Sequence, residues 1–241
     1  MKDGPPQEAN PPQPRLRPLD TFEGSLAQRV YLSLKAAILS LAYRPGEALR
    51  KPEICEALGV SRSPVSEAVA RLAAEGLVDV VPQSGTFVAR FSMAEIRESA
   101  FLREALELAA IEIVARTITD DQIVLLRRNL RVQEALVADG DVAGFYQMDR
   151  QMHEMILSFT GYRRLATLAE TSWVHVNRAR QLILPQPGRV QDTLTEHQRI
   201  LSALEAHDPA ASREATRHHL GQLLTFVEPL AKTRPDLFAP D

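Results

Sequence analysis

From Ser25 onward the apolar residues Leu26, Val30, Leu34, Ile38 and Leu41 recur every three or four positions. That spacing lays one stripe along a helix, with Ser25 placed as its N-cap. Pro45-Gly46 breaks the pattern, and a short helix is predicted from about Pro52 to Leu58, stopped by Gly59. Ser61 stands where it would cap a further helix from Arg62 to Glu75, stopped in turn by Gly76. At Leu77 the period changes: Leu77 to Val81 and Thr86 to Val88 are β-rich runs around Pro82-Gln83-Ser84-Gly85, the pattern of a hairpin. Three helices with tight turns followed by a hairpin is the order of a winged helix-turn-helix.

Beyond Arg90 the pattern is helical to the end. Ser92-Met93-Ala94-Glu95 has capping-box spacing and opens a helix to about Arg116, and Thr119-Asp120-Asp121-Gln122 opens a second to about Ala138. Helices from Val142 to Phe159, Arg163 to Leu184 and Leu194 to Ala206 follow, with Pro185-Gln186-Pro187-Gly188 as a break. Asp208-Pro209 opens the last, an N-cap followed by proline at the first helical position. The fold class predicted is therefore mainly α: an N-terminal winged helix-turn-helix over 25–90 and a C-terminal, all-helical antiparallel bundle of about six helices over 92–232. Residues 1–24 hold six of the 16 prolines and little apolar periodicity, so they read as a disordered leader.

Composition sharpens this picture at three points. The 241 residues carry 28 Lys plus Arg against 31 Asp plus Glu, a net charge of −3, which excludes a strongly basic coat protein. The charge is unevenly placed, +2 over residues 25–90 and −4 over 91–241, so the small domain is the one that leans toward a polyanion. One cysteine, Cys55, excludes an intrachain disulfide framework and a multi-cysteine zinc ribbon. No run approaches the ~20 apolar residues that span a bilayer, and no secretory signal is evident, so a cytoplasmic protein is expected.

In the segment from Leu58 to Leu72, Val65, Val69 and Leu72 share a face that would pack inward. Arg62, Ser63 and Ser66 then project from the first turns of the other side. In a helix-turn-helix those positions of the second helix reach base edges or phosphates in the major groove. Arg62 has the fork that matches guanine O6 and N7, and the helix N-terminus behind Ser61 favours phosphate. Ser84-Gly85 at the hairpin tip can approach a backbone closely. The alternative is a helical hairpin whose polar residues are simply solvated.

A second constellation lies in the bundle. Asp149 and His153 are four residues apart and emerge from one helix face, one turn apart. His197 precedes the apolar face of Ile200, Leu201 and Leu204, and His219 sits between Ala215 and Leu223 at four-residue steps, so both should point inward, whereas His218 should be solvated. One carboxylate and three imidazoles suit a divalent transition metal with positions left for water or ligand. Zinc leads the candidates, followed by nickel, iron or manganese. Buried histidines that hydrogen-bond within a core are the alternative. Asn177, Arg178 and Arg180 are further candidates for lining a cavity, and Trp173 reads as core.

The runs Pro45-Gly46-Glu47-Ala48-Leu49-Arg50, Leu58 to Val65, Arg71 to Val78 and Gly85-Thr86-Phe87-Val88 resemble the DNA-binding domain of GntR-family bacterial transcription regulators. The resemblance implies that Arg50, Ser61, Arg62, Ser63, Ser66, Ser84 and Gly85 meet operator DNA. Ser66 stands where the family usually has arginine. The segments Phe145 to His153, Glu196 to Leu204 and Arg217 to Leu220 are similar to the metal motifs of the FCD ligand-binding domain, which defines the FadR-like branch. That implies a metal on Asp149, His153, His197 and His219, with a small carboxylic acid approaching it. Arg103-Glu104-Ala105-Leu106-Glu107 resembles the family's first-helix element, whose arginine can pair a carboxylate. Arg103, with Asn177 and Arg178, is thus an effector-contact candidate, and an intrahelical pair with Glu107 is the other reading of Arg103.

An enzyme is the rival class. His153-Glu154-Met155-Ile156-Leu157 begins like the metalloprotease helix, but Leu157 occupies the place of the second histidine. A hydrolase using a metal-bound water stays as the alternative. The reading expected is a homodimeric, non-enzymatic regulator, a repressor, whose grip on double-stranded operator DNA is modulated by a small carboxylate.

Overall fold

The computed structural model describes residues 15–240, and of residues 166, 170 and 171 the backbone alone. The chain divides into two compact units at Ala89 and Arg90. The first contains helices α1 (Leu26–Leu39), α2 (Lys51–Leu58) and α3 (Arg62–Ala74), then strands β1 (Val78–Val81) and β2 (Gly85–Val88). Ser25 caps α1 by accepting from the Gln28 amide. Gly59 ends α2 in the left-handed region, φ 64°, which an L side chain rarely adopts. Ser61 does stand at the head of α3, but its hydroxyl makes no cap bond. Val30, Leu34 and Ile38 of α1 are buried with Val65, Val69 and Leu72 of α3 and with Leu77.

The antiparallel hairpin pairs Val78 with Val88 and Val81 with Gly85. It has a third edge that the sequence pattern concealed. Residues 46–49 run along β2, with the Gly46 amide donating to Val88 O, the Val88 amide to Glu47 O and the Leu49 amide to Thr86 O, each at 2.8 Å. A segment this short, opened by Pro-Gly, shows no alternation of its own.

The disordered leader expected over 1–24 is corrected at its C-terminal end. Its first 14 residues lie outside the described residues, but residues 15–24 are held against the first unit. Leu16 is buried, Ser33 Oγ donates to Arg17 O at 2.8 Å, Arg15 pairs with Glu47, and Leu19–Thr21 form a 3-10 turn. One leucine is enough to anchor the segment, and one leucine makes no period.

The second unit is a bundle of α4 (Met93–Thr117), α5 (Asp120–Ala138), α6 (Val142–Phe159), α7 (Arg163–Ser172), α8 (Val174–Ile183), α9 (Arg189–Glu205) and α10 (Pro209–Thr233). Ser92 caps α4 by accepting from the Glu95 amide, Thr119 and Gln122 form the full reciprocal box on α5, and Asp208 caps α10. The core joins Val114, Leu126, Leu130, Phe145, Met152, Ile156, Ile200 and Leu204. Two expectations change here. The single helix from Arg163 to Leu184 is broken at Trp173, a buried residue with non-helical backbone that ends α7 and precedes α8. The fifth expected helix starts earlier, at Arg189, because Gly188 with φ 80° turns the chain directly into it. The chain beyond residue 232 also belongs to the unit: a 3-10 turn at Pro235–Leu237 leads Phe238 into a parallel bridge with Phe91. Among the described residues no helix is long and apolar enough to cross a membrane.

Leu34 is fully buried between α1 and α3, so Leu34→Ala is expected to destabilise the first unit by ~2–5 kcal/mol. Thr119→Ala removes one cap and is expected to cost the second unit ~1 kcal/mol. Urea melts of the two variants measure both, and equal losses would contradict the assignment.

Candidate metal centre and nucleic-acid interface

Three helices carry the centre. Asp149 and His153 lie one turn apart on α6, His197 on α9 and His219 on α10, all buried, with their donor atoms within 4.8 Å of one another. The structure thus brings together all four residues singled out from the sequence. His153 Nε2 stands 3.1 Å from His219 Nε2, and His197 Nε2 stands 3.3 Å from Asp149 Oδ1.

The outer ring nitrogens are what orient these groups. His153 Nδ1 donates to Glu107 Oε2 at 2.7 Å, His219 Nδ1 to Glu196 Oε2 at 2.7 Å, and His197 Nδ1 to Gln133 Oε1 at 2.8 Å. These roles follow from chemistry, since a carboxylate or amide oxygen facing a ring nitrogen can only accept. With its proton on Nδ1, a neutral ring presents an Nε2 lone pair inward. Burial, reinforced by neighbouring His153 and by Arg180 or Arg103, holds His197 and His219 well below the ordinary histidine pKa, so both are neutral at pH 7. Three lone pairs and a carboxylate therefore face one small space, and Asp149 Oδ1 and His197 Nε2 have no hydrogen-bond partner. This donor set fits a divalent transition metal, with acceptors on Nδ1 of the kind that fix metal-bound imidazoles.

Cations surround the centre. Arg180 of α8 forms an ion pair with Asp149. Arg103 Nε donates to Glu107 Oε1 at 2.6 Å, and its guanidinium lies 5.1 Å from the Trp173 ring. Arg189 forks onto Glu196 at 2.7 and 2.9 Å. Burial alone would raise the Glu107 pKa, but Arg103 and His153 bring it down to about 2. Burial and Arg103 lower Arg180 to about 9, still a cation at pH 7. A cavity of about 20 Å³ adjoins the centre, lined by Arg103, Arg180 and Arg189 with Thr193 and His219.

Arg103 is thus both the Glu107 partner and a cavity wall. The other two effector candidates are not brought to this cavity: the Arg178 guanidinium lies over the Phe91 ring at 4.5 Å, and Asn177 accepts from the Tyr146 hydroxyl through its backbone carbonyl. On α8 it is Arg180, two residues on, that faces inward. Sequence reasoning also missed Gln133, Arg189 and Glu196. Asn129 and Gln133 interrupt the apolar stripe of Leu126 and Leu130 on α5, and two buried amides one turn apart are the signal that was there. Arg189 and Glu196 are two turns apart on one face of α9, but their pairing is visible only once the helix start is known.

In the first unit Ser61, Arg62, Ser63 and Ser66 are exposed at the head of α3, opposite the buried Val65, Ala68, Val69 and Leu72. Arg50 is exposed ahead of α2 and pairs loosely with Glu53 at 3.2 Å, and Ser84 and Gly85 are exposed at the hairpin tip. The far end of α3 is fixed to α1: Tyr31 bonds Glu75, Lys35 pairs with Glu75 at 2.7 Å, and the Arg71 guanidinium lies 3.8 Å from the Tyr31 ring centroid. A helix so anchored presents its N-terminal turn without sagging.

Residues 26–88 match the bacterial regulatory proteins of the gntR family, and residues 98–222 match the FCD domain. The chain belongs to the GntR family, in its FCD-bearing branch. Among curated relatives it is 33% identical over 212 residues to an HTH-type transcriptional regulator in an unstable DNA locus of Streptomyces ambofaciens, covering 88% of this chain and 89% of that one. It is 28% identical over 214 residues to the HTH-type transcriptional repressor RspR of Escherichia coli K12, covering 89% and 94%. The solved structure of E. coli McbR/YncC shares the fold, with TM-score 0.73, 23% identity and coverage of 86% and 99%. This GntR protein is accordingly a DNA-binding transcription regulator with an FCD domain, and the hydrolase alternative is set aside.

The depressed histidines set a direction for pH. An unfolded histidine takes up a proton near pH 6.5 while His197 and His219 in the fold do not, so acid favours the unfolded chain. Their contribution is fully present above about pH 6.5 and is lost as pH falls below it. In metal-free protein the urea midpoint is expected to drop between pH 7.5 and pH 5.5, and the His197→Gln, His219→Gln double variant should flatten that slope. A flat profile in the wild type would contradict the assignment.

Proposed function

We propose that this GntR regulator is a bacterial, cytoplasmic, homodimeric repressor whose grip on operator DNA is set by a small carboxylate bound beside a metal. The observation that carries the metal is the inward convergence of three Nε2 lone pairs and the Asp149 carboxylate, with every Nδ1 proton already committed. Asp149, His153, His197 and His219 are the proposed ligands, with zinc as the leading ion and nickel, iron or manganese as alternatives. The metal would supply a Lewis-acidic point that attracts a carboxylate oxygen. The chain's own contribution is a cationic cavity wall, Arg103, Arg180 and Arg189, which attracts an anion while each stays paired with Glu107, Asp149 or Glu196.

A cavity of about 20 Å³ is near the size of one water. A carboxylate therefore needs the walls to move, and the arrangement that admits it is favoured by its binding energy. That is the physical basis for linkage between effector and operator, which must act equally in both directions. Repression is supported by the naming of RspR as a repressor. Dimerisation is supported by the reading geometry: one α3 with its hairpin tip covers a half-site, and a second copy supplies the other.

On DNA we assign Arg62 to a base edge, Arg50, Ser61, Ser63 and Ser66 to the same groove and its phosphates, and Ser84 and Gly85 to backbone beside it.

Elemental analysis of protein purified without chelator or added metal is expected to find about one divalent transition ion per chain, lost in the Asp149→Ala, His197→Ala double variant. Absence of metal in both, with no rebinding on supplementation, would make these histidines core residues or direct effector contacts. On operator DNA selected from random sequence by the protein, Arg62→Ala should cost ~1–3 kcal/mol and relax preference at one base pair. Unchanged affinity and preference would remove Arg62 from its assigned place.

A further inference from the structure

We propose that Phe91 is the residue through which the helices of the metal and effector site act on the DNA-reading unit, and that the C-terminal segment 235–239 is the clasp that makes this action possible. The clasp stands on the structure alone; what drives it rests on the ligand reading above.

Each unit holds its own end of the connecting chain. The Ala89 amide donates to Leu77 O at 3.0 Å within the first unit, and the Phe91 amide donates to Leu237 O at 3.0 Å within the second. A single residue, Arg90, separates these two anchors, and its own Nε donates to Asp236 O at 3.2 Å. A displacement of Phe91 is therefore passed by covalent geometry to the end of β2, because one residue spans at most ~3.5 Å.

Phe91 is gripped in three independent ways. Its backbone forms a parallel bridge, donating to Leu237 O and accepting from the Ala239 amide at 2.8 Å. Its ring meets the Phe238 ring at 5.5 Å between centroids. The Arg178 guanidinium lies over its ring, 4.5 Å from the centroid. Phe91, Arg178 and Phe238 are all buried.

Both partners lead back to the candidate centre. Arg178 is two residues from Arg180, the partner of Asp149, so opposite faces of one turn of α8 touch the linker and the centre. The clasp continues α10, which carries His219 and lines the cavity with Leu220 and Leu223. A residue that merely plugged the start of α4 would need one apolar neighbour. Phe91 instead receives one contact from α8, which carries Arg180, and another from the segment that follows α10, the helix that carries His219. The clasp and Phe91 also fall outside residues 98–222, the stretch matched by the FCD domain.

The test uses the full chain, a Phe238→Ala variant and a chain ending at Arg234, followed by amide hydrogen exchange with and without Zn²⁺ as the probe. In wild type, Zn²⁺ is expected to change exchange at residues 86–91 by about threefold or more, and in both variants that response should vanish while Zn²⁺ affinity stays within about twofold. A response at 86–91 that survives in both variants would overturn the clasp. Bound Zn²⁺ with no response at 86–91 in the wild type would overturn the transmission. If Zn²⁺ does not bind, the metal reading fails and Arg180→Ala takes the place of the probe. That substitution must then alter exchange at 86–91 in the full-length chain and leave it unaltered in the chain ending at Arg234, and failure of either half overturns the proposal. Circular dichroism checks that each variant is folded.

Discussion

Four hydrogen-bond acceptors turned on one another inside a bundle are the constraint on which the rest of the second unit depends. Left alone, Asp149 and the three Nε2 atoms would repel and would each forgo a solvation that water would supply. The fold meets this cost from outside the cluster. Glu107, Gln133 and Glu196 hold the Nδ1 protons and so fix the rings, and Arg103 and Arg189 in turn hold the two carboxylates. Each of α4, α5, α6, α9 and α10 contributes a member of the cluster or a support for it, which is why polar residues occupy the centre of a bundle whose periphery is Leu, Ile, Val and Phe. A cation in the middle would meet all four acceptors at once.

The same arrangement explains why the arginines are placed as they are. Arg180 neutralises Asp149 directly, whereas Arg103 and Arg189 neutralise the supporting carboxylates one step out. The paired charges keep the interior balanced while leaving cationic walls toward the cavity. The first unit uses charge differently: its ion pairs tie helix ends together at the surface, and the side chains at the head of α3 are left to solvent.

Most of the architecture could be read from apolar spacing and caps. Ser25, Thr119 and Asp208 each cap the helix they were expected to, and Val142–Phe159 was bounded to the residue. The four inward side chains Asp149, His153, His197 and His219 could be placed because each sits on a face whose apolar neighbours repeat at helical steps. What failed was whatever depends on contacts without a period. Leu16 is the one buried side chain of residues 15–24, residues 46–49 run along β2 through backbone bonds, and Trp173 breaks a helix that propensity would have continued. Arg178 and Arg180 show the limit most plainly. Both are buried on α8, and the choice between them turns on a helix phase that the break at Trp173 resets.

The one-residue junction at Arg90 bears on how such proteins can be rebuilt or diversified. A recombination point there looks natural, since it separates the gntR-type DNA-binding domain from the FCD domain. Yet Phe91 and its strand-like partner both lie on the bundle side of a cut at residue 90, the partner being supplied by the far end of the chain. A bundle moved without its C-terminal segment would lose what holds its own first residues. Exchange of modules in this architecture thus has to preserve a match between residues more than 140 positions apart, such as Phe91 and Phe238, and that match is a constraint on ancestry as much as on design.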